Sequence, residues 1–189
     1  MIRNIRPLPL SLLLAMVTLF VAPAATAGLH QAARSNDSAA IERSLAAGAD
    51  IDAFDNRGHT ALILAAYYRS TDALIALLDA GADPTPSAPM TGTALMAAAV
   101  QGDNRALEAL LTHPAVDVNE RNRQGQTSLM FAAVFGRIEA ARMLLDHGAD
   151  PSAVDYQGRT AMSLAAQQGH AELLRLLQAV ATETVSADY

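Results

Sequence analysis

Paired alanines recur along the chain at Ala32-Ala33, Ala65-Ala66, Ala98-Ala99, Ala132-Ala133 and Ala165-Ala166, at intervals of 33, 33, 34 and 33 residues. A fixed period over most of a chain means that any fold must be assembled from copies of one unit. Other residues keep the same step. Thr60, Thr93, Thr127 and Thr160 precede four of the pairs. Leucine couples follow at Leu77-Leu78, Leu110-Leu111, Leu144-Leu145 and Leu176-Leu177, and Gly48-Ala49-Asp50, Gly81-Ala82-Asp83 and Gly148-Ala149-Asp150 come after those. The one longer interval has a visible cause: residues 113–117, "HPAVD", stand where the other copies carry the four residues x-Gly-Ala-Asp, and add one residue.

Each unit reads as two short helices. The first, such as "ALILAAYY" (61–68), begins at a threonine able to cap it, and its alanines are small enough to admit a neighbouring helix. A break follows at Gly102, Gly136 or Gly169, and at Arg69-Ser70 in the second copy. The second helix, such as "TDALIALLDA" (71–80), sets Leu74, Leu77 and Leu78 on one face. Gly48, Gly81 and Gly148 fall where a helix ends in a left-handed residue. An extended stretch then turns back through Asp55-Asn56-Arg57-Gly58 or Asp155-Tyr156-Gln157-Gly158.

This pattern resembles the ankyrin repeat, with its D-x-x-G turn, threonine-capped first helix, leucine couple and closing G-A-D. The resemblance covers residues 29–180. It implies an all-α repeat solenoid of helix-turn-helix pairs joined by β-hairpin fingers, each repeat touching only its neighbours. The expected organisation is a cleavable signal peptide over 1–27, repeats over 28–56, 57–90, 91–122, 123–156 and 157–180, and a flexible tail over 181–189. Where the family carries T-P-L-H, this chain has "TALI" (60–63), "TALM" (93–96), "TSLM" (127–130) and "TAMS" (160–163). The family's inter-repeat Thr–His bonds are therefore expected to be missing, with apolar contacts in their place.

The leader reading rests on Arg3 and Arg6, an apolar stretch from Leu8 to Ala22, and small-x-small sites at Ala22-Pro23-Ala24 and Ala25-Thr26-Ala27. The stretch is about 15 residues, short of the roughly 20 that span a bilayer, so cleavage is favoured over an anchor. Cleavage after Ala24 and after Ala27 both remain open. With no Lys and heavy use of Ala, such a leader points to a bacterium with a GC-rich genome, and to the periplasm, or to secretion from a single-membrane host.

The chain has no Cys, which rules out disulfides and thiol chemistry. Its formal net charge is −6, and without Arg3 and Arg6 it holds 11 Arg against 19 Asp and Glu. An acidic balance of this kind disfavours nucleic acid and anionic membrane surfaces. No phosphate-binding loop, G-x-S-x-G elbow or H-E-x-x-H motif is present. Asp50, Asp83, Asp117 and Asp150 recur in successive repeats, which suits a turn role rather than a catalytic site. The expectation is a non-enzymatic monomer with no cofactor or metal, no nucleic-acid ligand, and no membrane attachment once the leader is removed.

What remains is a surface for a protein partner. The resemblance places partner contacts at finger tips and the inner edge of the first helices. Here those positions hold Phe54, Arg57, His59, Tyr67, Tyr68, Pro89, Met90, Arg121, Arg123, Val134, Phe135, Tyr156 and Arg159. Aromatic and Arg side chains carry much of the binding energy at interfaces, and Arg121, Arg123 and Arg159 put positive charge on an acidic molecule. The leading reading is a scaffold or assembly aid for another exported protein; the alternative is an exported effector or immunity-type protein acting on a foreign target. The finger "ADPTPSAPMTGT" (82–93) departs from the others: Ala88 replaces the turn aspartate, Gly92 is displaced by one, and three prolines remove backbone donors. A finger lacking regular hairpin bonds, with an apolar tip from Ser87 to Met90, is expected.

Overall fold

A computed structural model describes residues 24–187, with side chains to residue 182. Most of the expected leader, and Asp188 and Tyr189, lie outside the described residues. The chain runs as α1 (24–35), α2 (Ser38–Ala46), α3 (Ala61–Tyr67), α4 (Thr71–Asp79), α5 (Ala94–Gln101), α6 (Asn104–Leu111), α7 (Ser128–Val134), α8 (Ile138–Asp146), α9 (Ala161–Gln168) and α10 (Ala171–Ala187). Both candidate cleavage points fall within α1. The last helix runs to Ala187, so residues 181–187, read from sequence as tail, continue α10.

The helices form two layers. The inner row stacks α3 on α5, α5 on α7 and α7 on α9; the outer row stacks α2, α4, α6, α8 and α10 in turn. The sequence explains the division. Inner helices are buried almost all round: Ala61 to Ala66 and Ala94 to Ala99 are inaccessible to solvent or nearly so. Alanine here leaves room for the next inner helix, and a larger side chain would cost about 1–3 kcal/mol in overpacking. Outer helices are amphipathic, and bury Leu74 and Leu77, Leu107 and Leu110, Leu144, and Leu173 and Leu177 against the inner row. Each fully buried leucine contributes about 1.5–3 kcal/mol. Leu29, Ala32 and Ala33 of α1 close the core at one end.

The threonines act on their own helices. Thr60 and Thr93 accept from the backbone N–H of Ile63 and Met96, and Thr160 forms a reciprocal capping box with Ser163. Thr127 caps nothing, and its buried hydroxyl has no hydrogen-bond partner. Polar links between repeats come from elsewhere, so apolar contact is not the whole substitute for the family's Thr–His bonds. Ser70 Oγ donates to the carbonyl of Arg34 (3.2 Å), Arg137 Nε to that of Val100 (2.8 Å), and His170 Nε2 to that of Val134 (3.0 Å). All three seal the exposed C-terminal end of an inner helix from the next repeat.

Among the described residues the fingers contain no strand. Each is a tight turn, closed in the first by Asp55 N–H to His59 O (2.8 Å) and Gly58 N–H to Asp55 O (3.0 Å). The recurring aspartates act at the finger bases as expected: Asp50, Asp83, Asp117 and Asp150 each accept from the backbone N–H two residues on. The finger over 82–93 overturns its expectation. Ala88 and Gly92 exchange two backbone hydrogen bonds, at 2.9 and 3.0 Å, and form the one isolated antiparallel bridge among the described residues. Moving the glycine by one lets its own N–H reach the Ala88 carbonyl, which takes over the acceptor role of the missing carboxylate.

Candidate partner-binding face

The finger tips are held by one acceptor side chain. Asp55 Oδ1 accepts from the backbone N–H of Arg57 (2.8 Å) and His59 (2.9 Å); Asp155 Oδ1 does the same for Gln157 and Arg159, both at 2.9 Å. In the finger between α6 and α7 the role passes to Asn122, whose Oδ1 accepts from Gln124 and Gln126, each at 2.9 Å. Sequence reading missed Asn122, although Gly125 follows it at the same three-residue step as Gly58 and Gly158. Burial works against charge on Asp55 and on Asp155. The donors around them outweigh it: the backbone N–H and ring of His59 and the backbone N–H of Arg57 for Asp55, the guanidinium and N–H of Arg159 with the N–H of Gln157 for Asp155. Both carboxyls stay below the ordinary value of 3.8.

These frameworks decide which candidate residues are free to meet a partner. Arg159 is tied to Asp155 Oδ2 through Nη2 (2.7 Å) and Nε (2.8 Å). Arg121 donates to the carbonyl of Val154 in the neighbouring finger. His59 faces Asp55 at 3.3 Å with its side chain 13% exposed. Val134 is half-buried and packs on the core. In these four the side chain serves the fold first; of the expected positive row the Arg159 charge is paired with Asp155, whereas exposed Arg121, bonded to neutral carbonyls, keeps its charge beside Arg123. The guanidinium groups of Arg57 and Arg123 are exposed and make no hydrogen bond or ion pair among the described residues.

The exposed apolar side chains fall into two groups. Towards the C-terminal end, Phe135 closes α7, Val154 is exposed, and the Tyr156 ring lies over Gly125, where an added Cβ would sit 2.8 Å from Cδ1. Tyr156 still leaves 76% of its surface to solvent. Towards the N-terminal end, Phe54, Tyr67, Tyr68 and Met90 are all exposed, Met90 at 87% and Pro89 beside it. Tyr67 and Tyr68 meet edge to face, ring centroids 5.4 Å apart at 75°, an arrangement that fixes both rings. They line a groove of about 360 Å³ together with Leu64, Arg57 and Met90. A second hollow of about 430 Å³, with Thr26, His30 and Phe54 in its wall, shares Arg34 and Asp55 with it. The Arg34–Asp55 ion pair is common to both walls.

One ring nitrogen each of His30, His147 and His170 donates to a backbone carbonyl, and no group of His, Asp or Glu among the described residues is arranged to hold a metal ion. No helix among them is long and apolar enough to cross a membrane.

A family model described as ankyrin repeats (3 copies) matches residues 16–88 and 95–187. Two curated relatives share 45% identity over 58 residues, 31% of this chain: mitochondrial disaggregase from Homo sapiens and from Bos taurus, of which the match covers 8% and 9%. The chain thus spans less than a tenth of the length of the curated relatives it matches.

Proposed function

The chain belongs to the ankyrin-repeat family, and on that premise we propose that it is an exported, non-enzymatic module that docks a protein partner on its finger tips and inner helices, as a scaffold or assembly aid. Ankyrin repeats are generally protein–protein interaction modules. The observation that carries the reading to this surface is the exposed group of Tyr67, Tyr68 and Met90 around one groove, with Phe54 exposed in the wall of the hollow that shares Arg34 and Asp55 with it. The outer helices turn their leucines to the core, whereas these four side chains are held out to solvent. Exposed apolar patches of this kind mark interaction sites, and aromatic side chains there carry much of the binding energy. Export rests on the leader alone.

The test is affinity capture from an extract of the producing cell, comparing the wild type with a Tyr67→Ala/Tyr68→Ala/Phe135→Ala variant. All three side chains are substantially exposed, so the variant should fold. Loss of captured protein supports the assignment; equal recovery by both sinks it. A captured partner from the host's own envelope supports the scaffold role, and one found only when a foreign extract is supplied moves the protein to the effector class. Cell fractionation with N-terminal sequencing tests export, and shows whether the mature chain begins at Ala25 or Gly28.

A further inference from the structure

We infer that the groove lined by Arg57, Tyr67, Tyr68 and Met90 takes an extended, acidic segment of the partner, with an apolar side chain packed on Tyr67 and Met90 and a carboxylate paired with Arg57. The inference rests on the binding reading above and narrows it to one chemistry at one place.

Charge complementarity selects the acid. Asp55 is the one acidic side chain in the wall of either hollow. Its charge is already spent: Oδ2 holds the Arg34 guanidinium at 2.9 Å, and Oδ1 accepts from two backbone N–H groups and faces the His59 ring. Arg57 is different. Its backbone N–H is committed to the finger turn, but its guanidinium has no partner among the described residues. The groove therefore offers an uncompensated positive charge on a chain whose formal net charge is −6. A guanidinium with free donors matches a carboxylate in two-pronged geometry. The net negative charge of the chain disfavours an acidic segment on faces that lack a free cation.

The apolar part follows from the rings. Tyr67 and Tyr68 brace one another at 75°, so little freedom is lost when a guest side chain packs on them. Met90 lines the same groove and is exposed, and its unbranched thioether adjusts to the shape of a guest. Leu64 forms the floor. A Leu, Met or Phe side chain suits such a slot, and a concave groove suits an extended chain better than a flat folded surface.

Selection of a phage-displayed library of random short peptides on the immobilised protein tests this. The wild type should enrich sequences that place Asp or Glu close to Leu, Met or Phe. Arg57→Gln should still enrich the apolar residues without the acidic preference, and Arg57→Glu should turn the preference to Lys and Arg. Tyr67→Ala/Tyr68→Ala should enrich nothing. For one selected peptide, Arg57→Gln should weaken binding about two- to fivefold, the scale of a solvent-exposed ion pair, and added salt should narrow the gap. Thermal unfolding of each variant shows that the fold is retained. The inference is overturned if the wild type enriches neutral or basic sequences or none, or if Arg57→Gln keeps the acidic preference. Failure here is separable from failure of the binding reading. If partner capture is lost in the triple variant but peptide selection shows no acidic preference, only the present inference falls. If capture is equal in the wild type and the triple variant, the surface assignment falls with it.

Discussion

Arg121 reaches across the cleft between two fingers and donates from Nη1 to the backbone carbonyl of Val154 at 2.6 Å. The same nitrogen lies 3.4 Å from the carbonyl of Gly125, within its own finger. One cation thus ties together the last two fingers of the stack, beside a single backbone bond from Tyr156 N–H to Gln124 O at 3.1 Å. Arg121→Ala should lower stability by about 0.5–1.5 kcal/mol, the worth of an ordinary hydrogen bond, and leave partner capture unchanged. Arg123→Ala, two residues on and without a partner, should change stability by no more than about 0.5 kcal/mol. Urea unfolding of both, with capture measured beside it, checks the pair. Capture lost in Arg121→Ala at unchanged stability would return this side chain to the binding face.

Asp155 gives the stack an acid limit. Its side chain is 1% exposed and its carboxyl lies below the ordinary value, as do those of Asp55 and Asp150. A folded value below the unfolded one means that the unfolded chain binds more protons as the solution becomes acidic. The stabilisation is complete above the ordinary carboxylate value and is lost as pH falls through the lowered one. Thermal stability should stay level from neutrality to about pH 5 and fall below about pH 4. Asp155→Asn keeps the acceptor for the Gln157 and Arg159 N–H groups, as Asn122 does in the preceding finger, but loses the ion pair with Arg159. It should cost about 1–2 kcal/mol at neutral pH and show a shallower decline in acid than the wild type. Identical acid slopes would show that Asp155 takes no part in the limit.

The repeat was legible because alanine pairs and leucine couples report burial directly, and burial follows helical spacing whatever the neighbours. The turn aspartates were legible for a similar reason, since Asp50 and Asp150 act on backbone two residues away. Arginine was not. Arg57, Arg121, Arg123 and Arg159 occupy comparable finger positions, yet two are tied into the fold and two are free. What decides is whether a carbonyl or carboxylate lies within reach, as Val154 does for Arg121, and that depends on packing between fingers. The finger at 82–93 misled for a related reason. Loss of the Asp-x-x-Gly signature removes a side-chain acceptor, but the backbone of Ala88 and Gly92 restores the pairing in a form the signature does not encode.

Arg69 marks a place where stability can be raised. It ends the second repeat's inner helix at φ 58, where the later repeats have Gly102, Gly136 and Gly169 at φ 64, 64 and 76. A side chain in this left-handed region costs about 1–2 kcal/mol, against about 0.5–1 kcal/mol of chain entropy for glycine. Arg69 recovers little, since its one link, Nη1 to the carbonyl of Gln101, is long at 3.4 Å and exposed. Arg69→Gly should therefore raise stability by about 0.5 kcal/mol, the difference between those two costs. Asn36, at φ 56, is the contrast. Its Oδ1 accepts from the N–H of Ala73 at 2.9 Å and its Nδ2 donates to Asp72, so it joins the first repeat to the second. Asn tolerates the left-handed region, and Asn36→Gly should lower stability by about 1 kcal/mol through the lost bonds. Urea midpoints at unchanged slope measure both. If Arg69→Gly is the destabilising one, the Gln101 link outweighs the backbone strain at this turn.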